Sequence, residues 1–98
     1  LMIGVDSDWA VTNPDRAKLV LTSVLKHMDA TTFDVVKSVI DGTFTGGKFV
    51  GKLENKGVGL APFHEFEDEI SEELRAEVAD LEAKLIAGEI ELNPDFVQ

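Results

Sequence analysis

Leu1-Met2-Ile3-Gly4-Val5-Asp6-Ser7-Asp8 and Leu19-Val20-Leu21-Thr22-Ser23-Val24-Leu25-Lys26-His27 decide the fold class. Each is a short apolar run closed by charged residues. That is the pattern of a buried strand whose C-terminal end opens into a polar loop. Between them Asn13-Pro14-Asp15 is turn chemistry, because proline presets its φ and Asn and Asp bond back to nearby amides. After the second run, Asp29 or Thr31 can cap a helix that carries Val35, Val36, Val39 and Ile40 at the spacing of one face. Gly42 is its stop. Strand, polar end, strand, helix is an α/β order.

Downstream, Lys48 to Leu53 is expected to form another strand after Gly46-Gly47, turning at Asn55-Lys56-Gly57 into Val58-Gly59-Leu60-Ala61. Ser71 starts a helix with Glu72 and Glu73 in its first turn, where negative charge suits the dipole. Leu74, Val78, Leu81 and Leu85 make its apolar stripe, and Lys84 and Gly88 mark its exit. The tail from Ile90 to Gln98 reads as a short extended piece.

The chain has 98 residues, which fits one domain and excludes a two-domain enzyme. Nine Lys plus Arg against nineteen Asp plus Glu give a formal net charge of −10, so phosphate backbones and anionic lipid surfaces repel it and nucleic acid is not an expected partner. The absence of cysteine removes disulfides, thiolate metal sites and cysteine nucleophiles. No apolar run approaches the roughly 20 residues that span a bilayer. The start on an apolar strand, without Met at position 1, suggests a chain cut from a longer one.

Several residues have the chemistry of a site. Asp6 and Asp8 follow a strand end, where open α/β sheets place their ligand crevices. A carboxylate there can accept from the two adjacent hydroxyls of a ribose, or it can cap a loop or a following helix. In a parallel sheet Lys26 emerges on the same edge as Asp6, either to donate to a ligand hydroxyl or as a solvated lysine. His27 and His64 stand alone in sequence, and the Glu65, Glu67 and Asp68 string beside His64 lacks metal-ligand spacing, so no metal and no other cofactor is expected. Gly57-Val58-Gly59 lacks the third glycine of a dinucleotide loop and fits a close backbone approach instead.

In order and spacing, Ile3-Gly4-Val5-Asp6-Ser7-Asp8, Val20-Leu21-Thr22-Ser23-Val24-Leu25-Lys26 and Gly57-Val58-Gly59-Leu60-Ala61-Pro62-Phe63 resemble signature segments of the basic membrane protein family. Leu85-Ile86-Ala87-Gly88-Glu89-Ile90 resembles that family's terminal helix and its exit. The resemblance implies an α/β, three-layer fragment of a type I periplasmic-binding-protein (Venus flytrap) fold. Residues 1–98 would be the C-terminal part, with strand and hinge segments of both lobes and a crossing near Lys26 and His27. It implies a receptor that binds and does not catalyse, with a purine nucleoside or related small molecule as cargo and ABC permease subunits as partners. The family's parent proteins are lipoproteins held outside the cytoplasm at the cell membrane. Carried onto this chain, Asp6 would hold the ribose hydroxyls and Lys26 would reach the same sugar. Trp9 stands where the family pattern leads one to expect glutamine, and it could crowd the pocket rim or stack there. A fragment of this kind is expected to self-associate through faces that the rest of the parent covers.

Two other classes compete. Asp6-x-Asp8 after one strand, with Thr22 or Ser23 ending a second, imitates a magnesium-dependent phosphatase of the haloacid dehalogenase type. The connection between the two motifs is too short for that architecture, and Trp9-Ala10-Val11 replaces the small residue it needs. The acidic helix from Ser71 to Ala87 could instead serve as an interaction module that pairs its stripe with a partner helix.

Overall fold

A computed structural model describes residues 1–92. Strand β1 (Met2–Asp6) leads into a short helix α1 (Trp9–Thr12) and a 3-10 segment (Pro14–Leu19), and then into strand β2 (Val20–Lys26). Helix α2 (Met28–Ile40), strand β3 (Val58–Leu60), a 3-10 turn (His64–Phe66) and helix α3 (Glu72–Ala87) follow. The chain divides into two compact units, Leu1–Asp68 and Glu69–Gln98.

In the first unit the strands form one sheet in the order β1-β2-β3. β1 and β2 are parallel, with Gly4 opposite Ser23, Val5 opposite Val24 and Asp6 opposite Leu25. A parallel pair needs a crossover of about a dozen residues or more, and α1 with its 3-10 continuation supplies it. Sequence reading treats this stretch as loop. It is helical because Asp8 caps it: Asp8 Oδ1 accepts from the Ala10 amide at 3.1 Å. Pro14 then opens the 3-10 segment, where its missing N–H costs nothing.

β3 runs antiparallel to β2, with Val24 opposite Leu60 and Lys26 opposite Val58. The centre of β2 is buried although it is polar. Thr22 Oγ1 donates to the Ala61 carbonyl at 2.7 Å, and Ser23 Oγ accepts from the Trp9 amide at 3.1 Å. With those bonds made, burying two hydroxyls is not penalised. Val20, Ala10 and Ala61 complete a small core.

The two faces of the sheet are unlike. On one, α1 sits so close that a β-carbon on Gly4 would overlap Ser23 Oγ and lie 2.6 Å from Trp9 Cγ. The other carries the row Val5, Val24 and Leu60, which remain 50%, 43% and 52% exposed. Parallel strands are ordinarily covered on both faces; here this row is covered only in part.

Two sequence expectations are corrected. Residues 48–53 form no strand. Asn55 takes the backbone groups a ladder would use: its Oδ1 accepts from the Lys52 and Gly57 amides at 2.7 and 3.0 Å, and its Nδ2 donates to the Val50 carbonyl at 3.0 Å. A side chain that bonds locally to backbone favours a turn over a strand. Helix α2, in turn, is capped by neither Asp29 nor Thr31. Its N-cap residue is His27, and Thr31 Oγ1 instead donates back to the His27 carbonyl at 3.1 Å from inside the first turn. Gly42 does end this helix region, with φ 74°.

In the second unit α3 begins where sequence places it. Ser71 is the N-cap and its hydroxyl accepts from the Leu74 amide at 3.2 Å; Gly88 closes the helix at φ 76° in the left-handed region. Of the extended tail expected from Ile90, residues 93–98 lie outside the described residues. Residues 90–92 belong to neither helix nor strand.

Candidate functional site

Parallel pairing brings the C-terminal ends of β1 and β2 to one edge of the sheet, and with them Asp6 and Lys26. Lys26 Nζ lies 2.7 Å from Asp6 Oδ1, and the side chains remain 59% and 56% exposed. The pair is thus an ion pair open to solvent. Such pairs contribute about 0–1 kcal/mol, too little to explain on stability grounds alone why the backbone bends here. It does bend: Asp6 has φ 76°, in the left-handed region. Asp tolerates that region better than most residues, at a cost on the order of 1 kcal/mol. The turn breaks the strand's alternation, and it lets Asp6 meet Lys26 although their register positions differ by one residue.

Asp8 has a different role. While Oδ1 caps α1, Oδ2 lies 2.6 Å from His64 Nε2, and the two side chains are only 20% and 32% exposed. His64 also has a positive φ, 45°. The contact ties the turn after Ala61 to the end of β1. Sequence reading leaves His64 isolated, since its partner is 56 residues away and nothing local signals it. The capping alternative for Asp8 was legible, and it is the one the structure adopts.

Trp9 packs inward over the sheet rather than across the charged pair. Its indole Nε1 donates to the Val5 carbonyl at 3.0 Å, and its ring covers Gly4. The other expected positions behave as follows. The glycines do permit close approach: a β-carbon on Gly57 would overlap Gly51 Cα, and one on Gly59 would come 3.2 Å from His27 Nε2. Among the described residues no group of His, Asp and Glu is arranged to hold a metal ion, and no helix is long and apolar enough to cross a membrane.

The architecture is mixed α/β. Its fold is similar to part of an ABC transporter system solute-binding protein from Aeropyrum pernix K1, with TM-score 0.69 and 23% identity over 93% of this chain and 32% of that one. It is also similar to part of a transcriptional activator of the comK gene from Bacillus halodurans, with TM-score 0.72 and 24% identity over 86% of this chain and 28% of that one. The chain therefore spans less than a third of either protein. At these identities the likeness is one of fold, which one scaffold lends to many activities. The sequence matches no family model and no curated protein.

Proposed function

We propose that this chain is the C-terminal part of a type I solute receptor of the basic membrane protein kind, which binds a purine nucleoside outside the cytoplasmic membrane for an ABC importer. The observation that carries the reading is the Asp6–Lys26 pair, exposed at the adjoining ends of two parallel strands. One carboxylate oxygen is engaged by Lys26, and a ribose offers what this arrangement accepts: two neighbouring hydroxyls, one donating to Asp6 and one accepting from Lys26. Charge-assisted hydrogen bonds of this type contribute roughly 1.5–3 kcal/mol each. Removing one should therefore weaken binding by tenfold to about a hundredfold.

In this reading the protein binds and does not catalyse, its parent is lipid-anchored at the cell surface, and its protein partners are the permease subunits. The fold likeness to an ABC solute-binding protein supports it. The likeness to a transcriptional activator is of equal strength, but the formal charge of −10 disfavours direct contact of this piece with DNA. A phosphatase reading has less support, because both oxygens of Asp8 are already committed, to the α1 cap and to His64.

Calorimetry on the whole receptor tests the proposal, with purine nucleosides and their 2′-deoxy counterparts as ligands. Asp6→Ala and Lys26→Ala should each lose tenfold or more in affinity, and the deoxy compounds should bind more weakly than the ribosides. Undiminished binding by Asp6→Ala would remove the pair from the site.

A further inference from the structure

β2 and β3 are the two passes by which the chain leaves the sheet and returns to it, and residues 28–56 form the excursion between them. The passes are tied together at the joint, where the His27 amide donates to the Gly57 carbonyl at 3.0 Å. Beyond it α2 has no extensive packing on the sheet, and it buries none of its residues. The packing at the joint therefore bears on the orientation of the excursion, and the His27 ring lies there. The imidazole is half-buried, makes no hydrogen bond or ion pair among the described residues, and lies over Gly59, where a single β-carbon would already stand 3.2 Å from Nε2. Gly59 pairs with Leu25, one residue before Lys26.

We infer that His27 is a positioning residue: its ring, seated on the bare backbone of Gly59, is the spacer that fixes the angle of the 28–56 excursion to the sheet. The same contact steadies the end of β2, from which Lys26 reaches Asp6. A β-carbon at position 59 would already make a tight contact with the ring, so a branched side chain there must shift the ring or the joint. α2 has 13 residues and is about 20 Å long, so a tilt at its base becomes a displacement on the order of ångströms at its far end. The inference concerns the unliganded chain and stands whether or not the cargo is a nucleoside.

The chain contains no cysteine, so two spin labels can be placed on it cleanly, at Asp15→Cys in the crossover and Val39→Cys near the end of α2. Pulsed electron spin resonance then reads the distance between them. With the labelled chain diluted into unlabelled chain, so that only distances within one molecule are read, a single narrow distribution is expected in wild-type background, and Gly59→Val should shift its mean. Adding His27→Ala to Gly59→Val should return the mean toward the wild-type value, because the group that the valine strikes is gone. A Gly59→Val distribution that coincides with wild type, or a shift that persists undiminished without the imidazole, overturns the inference. Should the valine variant fail to fold, His27→Ala alone decides: the spacer role requires a broadened distribution, and an unchanged one excludes it.

Discussion

Two aspartates separated by one residue end up with opposite duties. Asp8 is a structural residue, with one oxygen on the first turn of α1 and the other on His64. Asp6 bends the backbone into the left-handed region and stays exposed beside Lys26. The contrast is testable. Asp8→Asn keeps the capping oxygen but puts an amide nitrogen where the second oxygen meets His64, so it should cost less than Asp8→Ala, which loses both contacts and should lower the unfolding free energy by about 1 kcal/mol or more. Urea titration of both variants checks this; equal losses would show that the His64 contact and not the cap is what Asp8 provides. Gly4 is as constrained as Asp8. Its missing side chain is the space that Trp9 and Ser23 occupy, so Gly4→Ala should destabilise by about 1–3 kcal/mol through overpacking. In the sequence the capping role of Asp8 is one of two alternatives, and its His64 contact is not legible, because a pairing across 56 residues leaves no local trace.

At the scale of elements, legibility followed the range of the forces. The α3 boundaries were readable because both caps are local chemistry: a serine hydroxyl at one end and a left-handed glycine at the other. Ser71→Ala should accordingly speed amide exchange in the first turn of α3, with a loss of about 1 kcal/mol, while exchange in the sheet stays as it was. Residues 48–53 misled because their composition suits a strand, yet a single asparagine further along captures their backbone. Asn55→Ala releases the Lys52 amide and the Val50 carbonyl together. Faster hydrogen exchange at Lys52 is the expected result, since the Gly57 amide keeps the Lys52 carbonyl at 2.9 Å, and unchanged protection at Lys52 would mean that the turn holds itself by other bonds. α1 was missed for the converse reason. Four residues are too few for any apolar period to show, so only the cap announces so short a helix.

At the scale of the molecule, the sheet presents an apolar row, Val5, Val24 and Leu60, that keeps about half of its surface exposed. Burying a residue of this size from such exposure is worth on the order of 1 kcal/mol, so three adjacent ones form a continuous surface whose exposure to water is unfavourable. From sequence the strands were readable but not what lies against them. The apolar run of β1 reads as a buried strand, yet in this chain only its Gly4 is buried, because an apolar run leaves open which surface covers it. If the chain is part of a larger receptor, the covering surface belongs to the parent, and the 98-residue chain alone should seek a substitute. Light scattering over a concentration series should then show a mass that rises above the monomer value. Val24→Lys should oppose the rise, because an ammonium in the middle of the row cannot be buried without a partner. Val39→Lys, on the exposed side of α2, serves as a control for added charge. A monomer at every concentration would mean that the open row is tolerated in water, and the receptor reading would lose the support of an unfilled face.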